Sequence, residues 1–365
     1  MERIPVYEPY LAGNVSDYVN ECLTTGWISS RGGFIAKFEA AFAEFTGAKD
    51  ATSVANGTVA IHLVLEALEI GPGDEVIVPS LTYVASVNTI LQTGAKPIFV
   101  DSLEGTLQVD PAAIRGAITP RTKAVMAVHL YGHPCDMDTI VAICREHDLL
   151  LIEDCAEAFG SLWKGRHVGT FGDAATFSFF GNKTITTGEG GMVLARDPEV
   201  MSRCRRLKSQ GVSPGREYWH DMLAYNYRMT NIEAAIGLAQ IEMAAEIIAI
   251  KCKVADEYRV GLSSLPLRTH DPVGDVSHSY WMCSIILDRA EDRDPLRAYL
   301  AQQGIETRPF FAQAHLMPHC RTDEVFPIGA SLSERGINLP SYPGLTSAQI
   351  ERICAAVSSF WRQGI

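Results

Sequence analysis

Short apolar runs alternate along this chain with helical patterns, and that alternation limits its fold more than any other feature. The runs cover 75–78, 96–100, 124–131, 149–152, 176–180 and 191–195. Strands spaced by helices argue for a mostly parallel sheet with helices over its faces. The expected class is therefore α/β. A long helical pattern over 229–253, starting near Thr230-Asn231 with Ala235, Leu238 and Ile241 on its apolar side, is expected to lead into a second unit. There 279–287 reads as a strand, 295–303 as a helix ended by Gly304, and 346–363 as a terminal helix. At 365 residues and 47% apolar content the chain exceeds the roughly 250–300 residues at which single cores stop growing. Two domains follow, 1–245 and 246–365.

Within this frame one lysine stands out. The stretch Thr176-Phe177-Ser178-Phe179-Phe180 ends an apolar strand, and Gly181-Asn182-Lys183-Thr184-Ile185-Thr186-Thr187-Gly188-Glu189-Gly190-Gly191 follows as a glycine-rich loop. Lysine is a nucleophile only when uncharged, so a site that uses one must desolvate it or place it near other cations. The aromatic strand end offers desolvation, which makes Lys183 a candidate Schiff-base lysine; an ordinary lysine in a surface turn is the alternative.

Two further segments bear on that choice. The run 149–152 leads into Glu153-Asp154-Cys155-Ala156-Glu157, which places a carboxylate at the strand end where open α/β sheets bind ligands. Asp154 there suits the ring nitrogen of pyridoxal phosphate (PLP), whose protonation makes the ring an electron sink; capping of a following helix is the other reading. Upstream, Asn56-Gly57-Thr58 opens a helix with Ile61, Leu65 and Leu68 on one stripe. Free amides at a helix start favour a phosphate, and Gly57 permits close approach. Ser178 could add a hydroxyl.

Together these residues resemble the fold-type-I PLP enzymes, and among them the DegT-type nucleotide-sugar aminotransferases. The likeness runs over nearly the whole chain. It includes Gly26-Trp27-Ile28-Ser29-Ser30, Gly71-Pro72-Gly73-Asp74-Glu75-Val76-Ile77-Val78-Pro79, His129-Leu130-Tyr131-Gly132 and Tyr225-Asn226-Tyr227-Arg228-Met229-Thr230-Asn231. The resemblance implies a large domain with a seven-stranded sheet and a smaller C-terminal α+β domain. It implies that Lys183 anchors the cofactor and carries protons, that Asp154 holds the pyridinium, and that Glu157 lies near the ring hydroxyl. Gly57, Thr58 and Ser178 would hold the phosphate, Tyr83 would stack on the ring, and Asn226 would reach the phosphate of a neighbouring subunit in a homodimer with shared sites.

The implied reaction moves the amino group of L-glutamate to a nucleotide-linked keto sugar by way of pyridoxamine phosphate. The stretch 177–191 is similar to that of members acting on GDP-4-keto-6-deoxymannose, which supply an amino sugar for O-antigen or another glycan. A UDP- or dTDP-linked keto sugar is an alternative. So is dehydration, although dehydrating relatives carry histidine at the lysine position, and so is a non-catalytic regulatory protein that only binds the cofactor.

Other features bound the reading. A net charge of −12 disfavours nucleic acid, so an anionic sugar nucleotide would be met locally, with Arg31, Arg228 and Arg308 as candidates. Trp27 and His315 are further substrate candidates by resemblance; Phe310 and Phe311 read as core. No run nears the roughly 20 apolar residues of a membrane span, and 1–10 lacks a signal-peptide pattern. Nine cysteines without a Cys-x-x-Cys pair suit a reducing cytoplasm, and Cys155 reads as core. The ten histidines show no metal-ligand spacing, and no Gly-x-Gly-x-x-Gly marks a dinucleotide fold.

Overall fold

Strands buried on both faces need helices on both sides, and the computed structural model, which describes residues 3–362, meets that need. Its main sheet holds β1 (Ala51–Val54), β2 (Glu75–Pro79), β3 (Lys96–Val100), β4 (Thr122–Val128), β5 (Leu150–Asp154), β6 (Ala174–Ser178) and β7 (Gly191–Ala195). Among the described residues the order is β1-β7-β6-β5-β4-β2-β3. Neighbours from β3 to β6 pair in parallel, whereas β7 runs antiparallel to both β6 and β1. The expected seven-stranded, mostly parallel sheet is present.

Several bounds differ from the sequence reading. The run 124–131 leaves the sheet after Val128, because Tyr131 (φ 56°) and Gly132 (φ 103°) turn the backbone left-handed. A side chain at Gly132 would collide with the Tyr280 and Trp281 amides 2.9 Å away, which explains the glycine. β5 and β6 sit one or two residues from their expected positions, since register pairs Val128 with Asp154 and Asp154 with Thr176. β1 was not expected. Its Thr52 and Ser53 weaken the apolar signal, and it is held instead by pairing with β7 and by the Glu39 carboxylate, which accepts from Ser53 N at 2.6 Å.

The single helix expected over 229–253 is two, Asn231–Glu242 and Ala244–Leu262, parted at Met243 (φ −100°, ψ 2°). The first begins with a reciprocal capping box between Thr230 and Glu233. Its Gly237 leaves room for the ring of Phe38, so this helix belongs to the large apolar cluster with Phe42 and Phe177. The second buries Val254, Ala255, Tyr258 and Leu262 in a different cluster with Ile285, Ile337 and Phe360. Its start, through Ala244 and Ile247, still packs in the first cluster, so this helix runs from one cluster to the other. The division proposed near 245 rests on these two clusters, with Ile4 of the N-terminal segment packed in the second.

That second cluster covers an antiparallel sheet in the order Leu267–Thr269, Cys283–Leu287, Gly336–Leu339 and Arg308–Pro309, flanked by helices Arg293–Gln302 and Ser347–Arg362. The α+β character is as expected. The strand expected from 279 starts only at Cys283, and Gly304 (φ 75°) follows the first of those helices. Gln363, the expected last residue of the terminal helix, lies outside the described residues. No helix among them is long and apolar enough to cross a membrane.

Candidate active site

β5 delivers Asp154 at its last position, and the loop after it delivers Glu157. β6 delivers Ser178, and the turn beyond it delivers Lys183, whose N–H closes onto Phe180 O at 2.9 Å. β1 leads to helix α1 (Gly57–Ala67), capped by Asn56 Oδ1, which accepts from Val59 N at 3.0 Å. Three C-terminal strand ends thus converge on a cavity of about 500 Å³ lined by Gly57, Thr58, Tyr83, Asp154, Glu157, Ser178 and Lys183.

The phosphate corner is built from α1 and β6. Gly57 and Thr58 are the first residues of the helix, so their amides have no intrahelical partner. A Cβ on Gly57 would lie 2.6 Å from Ser178 Cβ and 3.0 Å from its Oγ. The missing side chain lets the helix start and the serine hydroxyl share one small space. Deeper in, Asp154 Oδ2 accepts from Ser86 Oγ at 2.7 Å and Oδ1 accepts from Ala156 N at 3.0 Å. The aspartate therefore makes the local turn and also faces the cavity.

Lys183 Nζ stands 3.9 Å from Glu157 Oε1. Burial pushes the lysine down, against the pull of Glu157 and Asp154, and burial pushes the Glu157 carboxyl up, against the attraction of Lys183 and the Tyr131 amide that donates to it at 2.8 Å. Both shifts favour the uncharged forms, which is what a nucleophilic lysine needs. The turn itself is held by two bonds: Tyr7 OH donates to Lys183 O (2.5 Å) and Trp281 Nε1 donates to Asn182 O (2.7 Å).

The profile of the DegT/DnrJ/EryC1/StrS aminotransferase family matches residues 9–358. The chain belongs to this family. GDP-perosamine synthase of Escherichia coli O157:H7 is 55% identical over 99% of both chains, and that of Vibrio cholerae is 52% identical over 98% of this chain and 99% of its own. Spr1654 from Streptococcus pneumoniae, named as a sugar aminotransferase and solved in its PLP form, superposes with a TM-score of 0.94 at 26% identity over the full length of both chains. This DegT-family chain is a PLP-dependent transferase.

The residues present fit that cofactor: a glycine-opened helix start beside a serine for the phosphate, a buried carboxylate for the ring nitrogen and a desolvated lysine for the aldehyde carbon. When bound, PLP supplies an electron sink conjugated to that carbon. Tyr83, at the start of helix Val84–Gln92, stands at the rim with its ring 5.4 Å from Phe311.

Other sequence candidates lie elsewhere in this DegT-family chain. Asn226 is exposed and accepts from Arg228 Nε at 2.9 Å. Trp27 and Arg31 are exposed away from the cavity lining, and Arg308 pairs with Glu306 at 2.8 Å. His315 is buried, its Nδ1 2.7 Å from Ser80 Oγ and its ring against Phe326. Phe310 packs on Tyr131, but its neighbour Phe311 lines the cavity. Tyr7, Ser86 and Trp281 were not found from the sequence. Each lies far along the chain from the residue it serves, with no motif around it to signal the contact.

Proposed function

We propose that this enzyme transfers the amino group of L-glutamate to C4 of GDP-4-keto-6-deoxy-D-mannose, giving GDP-perosamine and 2-oxoglutarate. The observation that carries this reading is end-to-end identity above half with relatives of that named activity. In it, Gly57, Thr58 and Ser178 bind the cofactor phosphate and Asp154 keeps the ring nitrogen protonated. Lys183 is displaced by the amino donor and then moves a proton, first from the glutamate α-carbon and later to the sugar C4. Its lowered pKa suits the first task.

Lys183 is the one cation that lines the cavity among the described residues. The GDP diphosphate therefore falls to groups outside it, for which Arg31, Arg228 and Arg308 are the proposed candidates. The proposal includes a homodimer in which Asn226 completes the partner's phosphate site, and a cytoplasmic location.

The test follows the cofactor absorbance of the purified holoenzyme. Glutamate should bleach the band of the lysine-bound cofactor, and GDP-4-keto-6-deoxymannose should then restore it with release of an amino sugar of the expected mass. Bleaching without restoration rejects the acceptor; no bleaching rejects the donor.

A further inference from the structure

Trp281 lies within 279–287, expected as a strand, but ahead of its observed start at Cys283, and brings its indole face to 3.8 Å from Lys183 Nζ, measured to the ring centroid. Its Nε1–H holds Asn182 O, and the next carbonyl, that of Lys183, is held by Tyr7. Two consecutive carbonyls of the lysine turn are thus fixed from segments remote in sequence. Behind them stands Lys251, which is 1% exposed. Its Nζ donates to Trp281 O at 3.3 Å and Ser341 O at 2.8 Å, and lies 5.5 Å from the Tyr7 ring centroid.

The charges facing Lys183 are few. Glu157 is beyond hydrogen-bond distance, Asp154 acts across the cavity, and Glu189 lies at its rim. Lys251 sits on the far side of Trp281, where burial lowers it to about 8. An ammonium in this cavity therefore has the Glu157 carboxylate near it at 3.9 Å, too far to accept a hydrogen bond. An aromatic face attracts ammonium more than neutral amine, and it does so without a directional bond.

We propose that Trp281 is a catalytic residue whose indole face receives the ammonium of Lys183 whenever that amine is uncombined, while Tyr7 and the indole N–H fix the turn from which the side chain swings. This rests on the reading of Lys183 as both anchor and proton carrier. A proton carrier must hold its proton between two tasks, and burial alone opposes that. The indole face offsets part of the opposition yet leaves the amine free to move. Tyr7 is a positioning residue, acting through the Lys183 backbone.

The test uses enzyme reconstituted with pyridoxamine phosphate, in which Lys183 is uncombined, and trace labelling by acetic anhydride across pH, read at Lys183 by peptide mass spectrometry. Trp281→Leu should lower the labelling midpoint by about one pH unit, and Trp281→Phe, which keeps an aromatic face, should shift it by less than about half of that. Where Trp281→Leu does not fold, Trp281→Met makes the same comparison. Tyr7→Phe should leave the midpoint in place and slow the glutamate half-reaction about three- to tenfold, with KM unchanged. An unchanged midpoint in the non-aromatic variants overturns the role of Trp281, and an unchanged rate in Tyr7→Phe overturns the clamp. Labelling involves neither glutamate nor sugar, so its failure is distinct from failure of the proposed reaction.

Discussion

Ser86 Oγ donates to Asp154 Oδ2 over 2.7 Å, from helix Val84–Gln92 to the end of β5. The serine fixes which way the carboxylate faces. A hydrogen bond to a charged group contributes about 1.5–3 kcal/mol, so Ser86→Ala should weaken PLP binding by about 10- to 100-fold without changing the fold. Absorbance titration of the apoprotein with PLP measures this. Asp154→Asn should bind cofactor but lose most turnover; unchanged affinity in Ser86→Ala would show that Ala156 N alone orients the carboxylate.

Gly57→Ala tests the phosphate corner. The new Cβ meets Ser178 Cβ at 2.6 Å, and overpacking of this kind costs about 1–3 kcal/mol. The expected result is a lower melting temperature and at least about tenfold weaker PLP binding. The double variant with Ser178→Gly should regain stability more than affinity, because the hydroxyl is lost with the clash.

Lys183→Ala should abolish turnover while the protein still binds pyridoxamine phosphate. Near-normal catalysis would refute the role given to the lysine. Mixing subunits tests the shared site: Lys183→Ala and Asn226→Ala chains, each impaired alone, should regain about a quarter of wild-type activity when refolded together at equal amounts, since one site in each mixed dimer is intact. No regain places Asn226 outside the partner's site.

Three buried histidines meet between the loop after β4 and the segment 270–278. His133 stacks on His270 with centroids 5.4 Å apart, and His278 lies edge-on at 4.9 Å from His270. His270 Nε2 donates to Thr106 O, leaving Nδ1 to face His278 Nε2 at 3.5 Å. Burial holds His133 down at about 4 and His270 at about 3, with His278 also well below the ordinary range. Groups lowered on folding contribute stability that is full above their unfolded pKa, about 6.5, and is lost as pH falls towards the folded values. The melting temperature should be level from pH 7 to 8 and drop between about 6.5 and 4.5, less steeply in His270→Gln. Equal slopes in both proteins would remove the cluster from the acid response.

Local order in the chain determined much of this protein. The apolar runs marked six of the seven sheet strands, because burial on both faces leaves few polar residues in them. Asn56-Gly57-Thr58 marked a helix start and Gly304 a helix end, since caps are chemistry between near neighbours. Lys183, Asp154, Glu157 and Ser178 were legible for a related reason: each stands at or just beyond a strand end, where a parallel sheet gathers its ligands.

The tertiary structure decided what depends on pairing and on distance. β1 exists through its register with β7 and the reach of Glu39, not through an apolar signal of its own. The helix expected over 229–253 breaks at Met243, and the second of the two helices carries the chain from one core to the other. Tyr7, Ser86 and Trp281 meet the site from positions 176, 68 and 99 residues away from their partners. Propensity and pattern act over a few residues, whereas the contacts that set the direction of Asp154 and the footing of Lys183 are made only when the chain closes on itself.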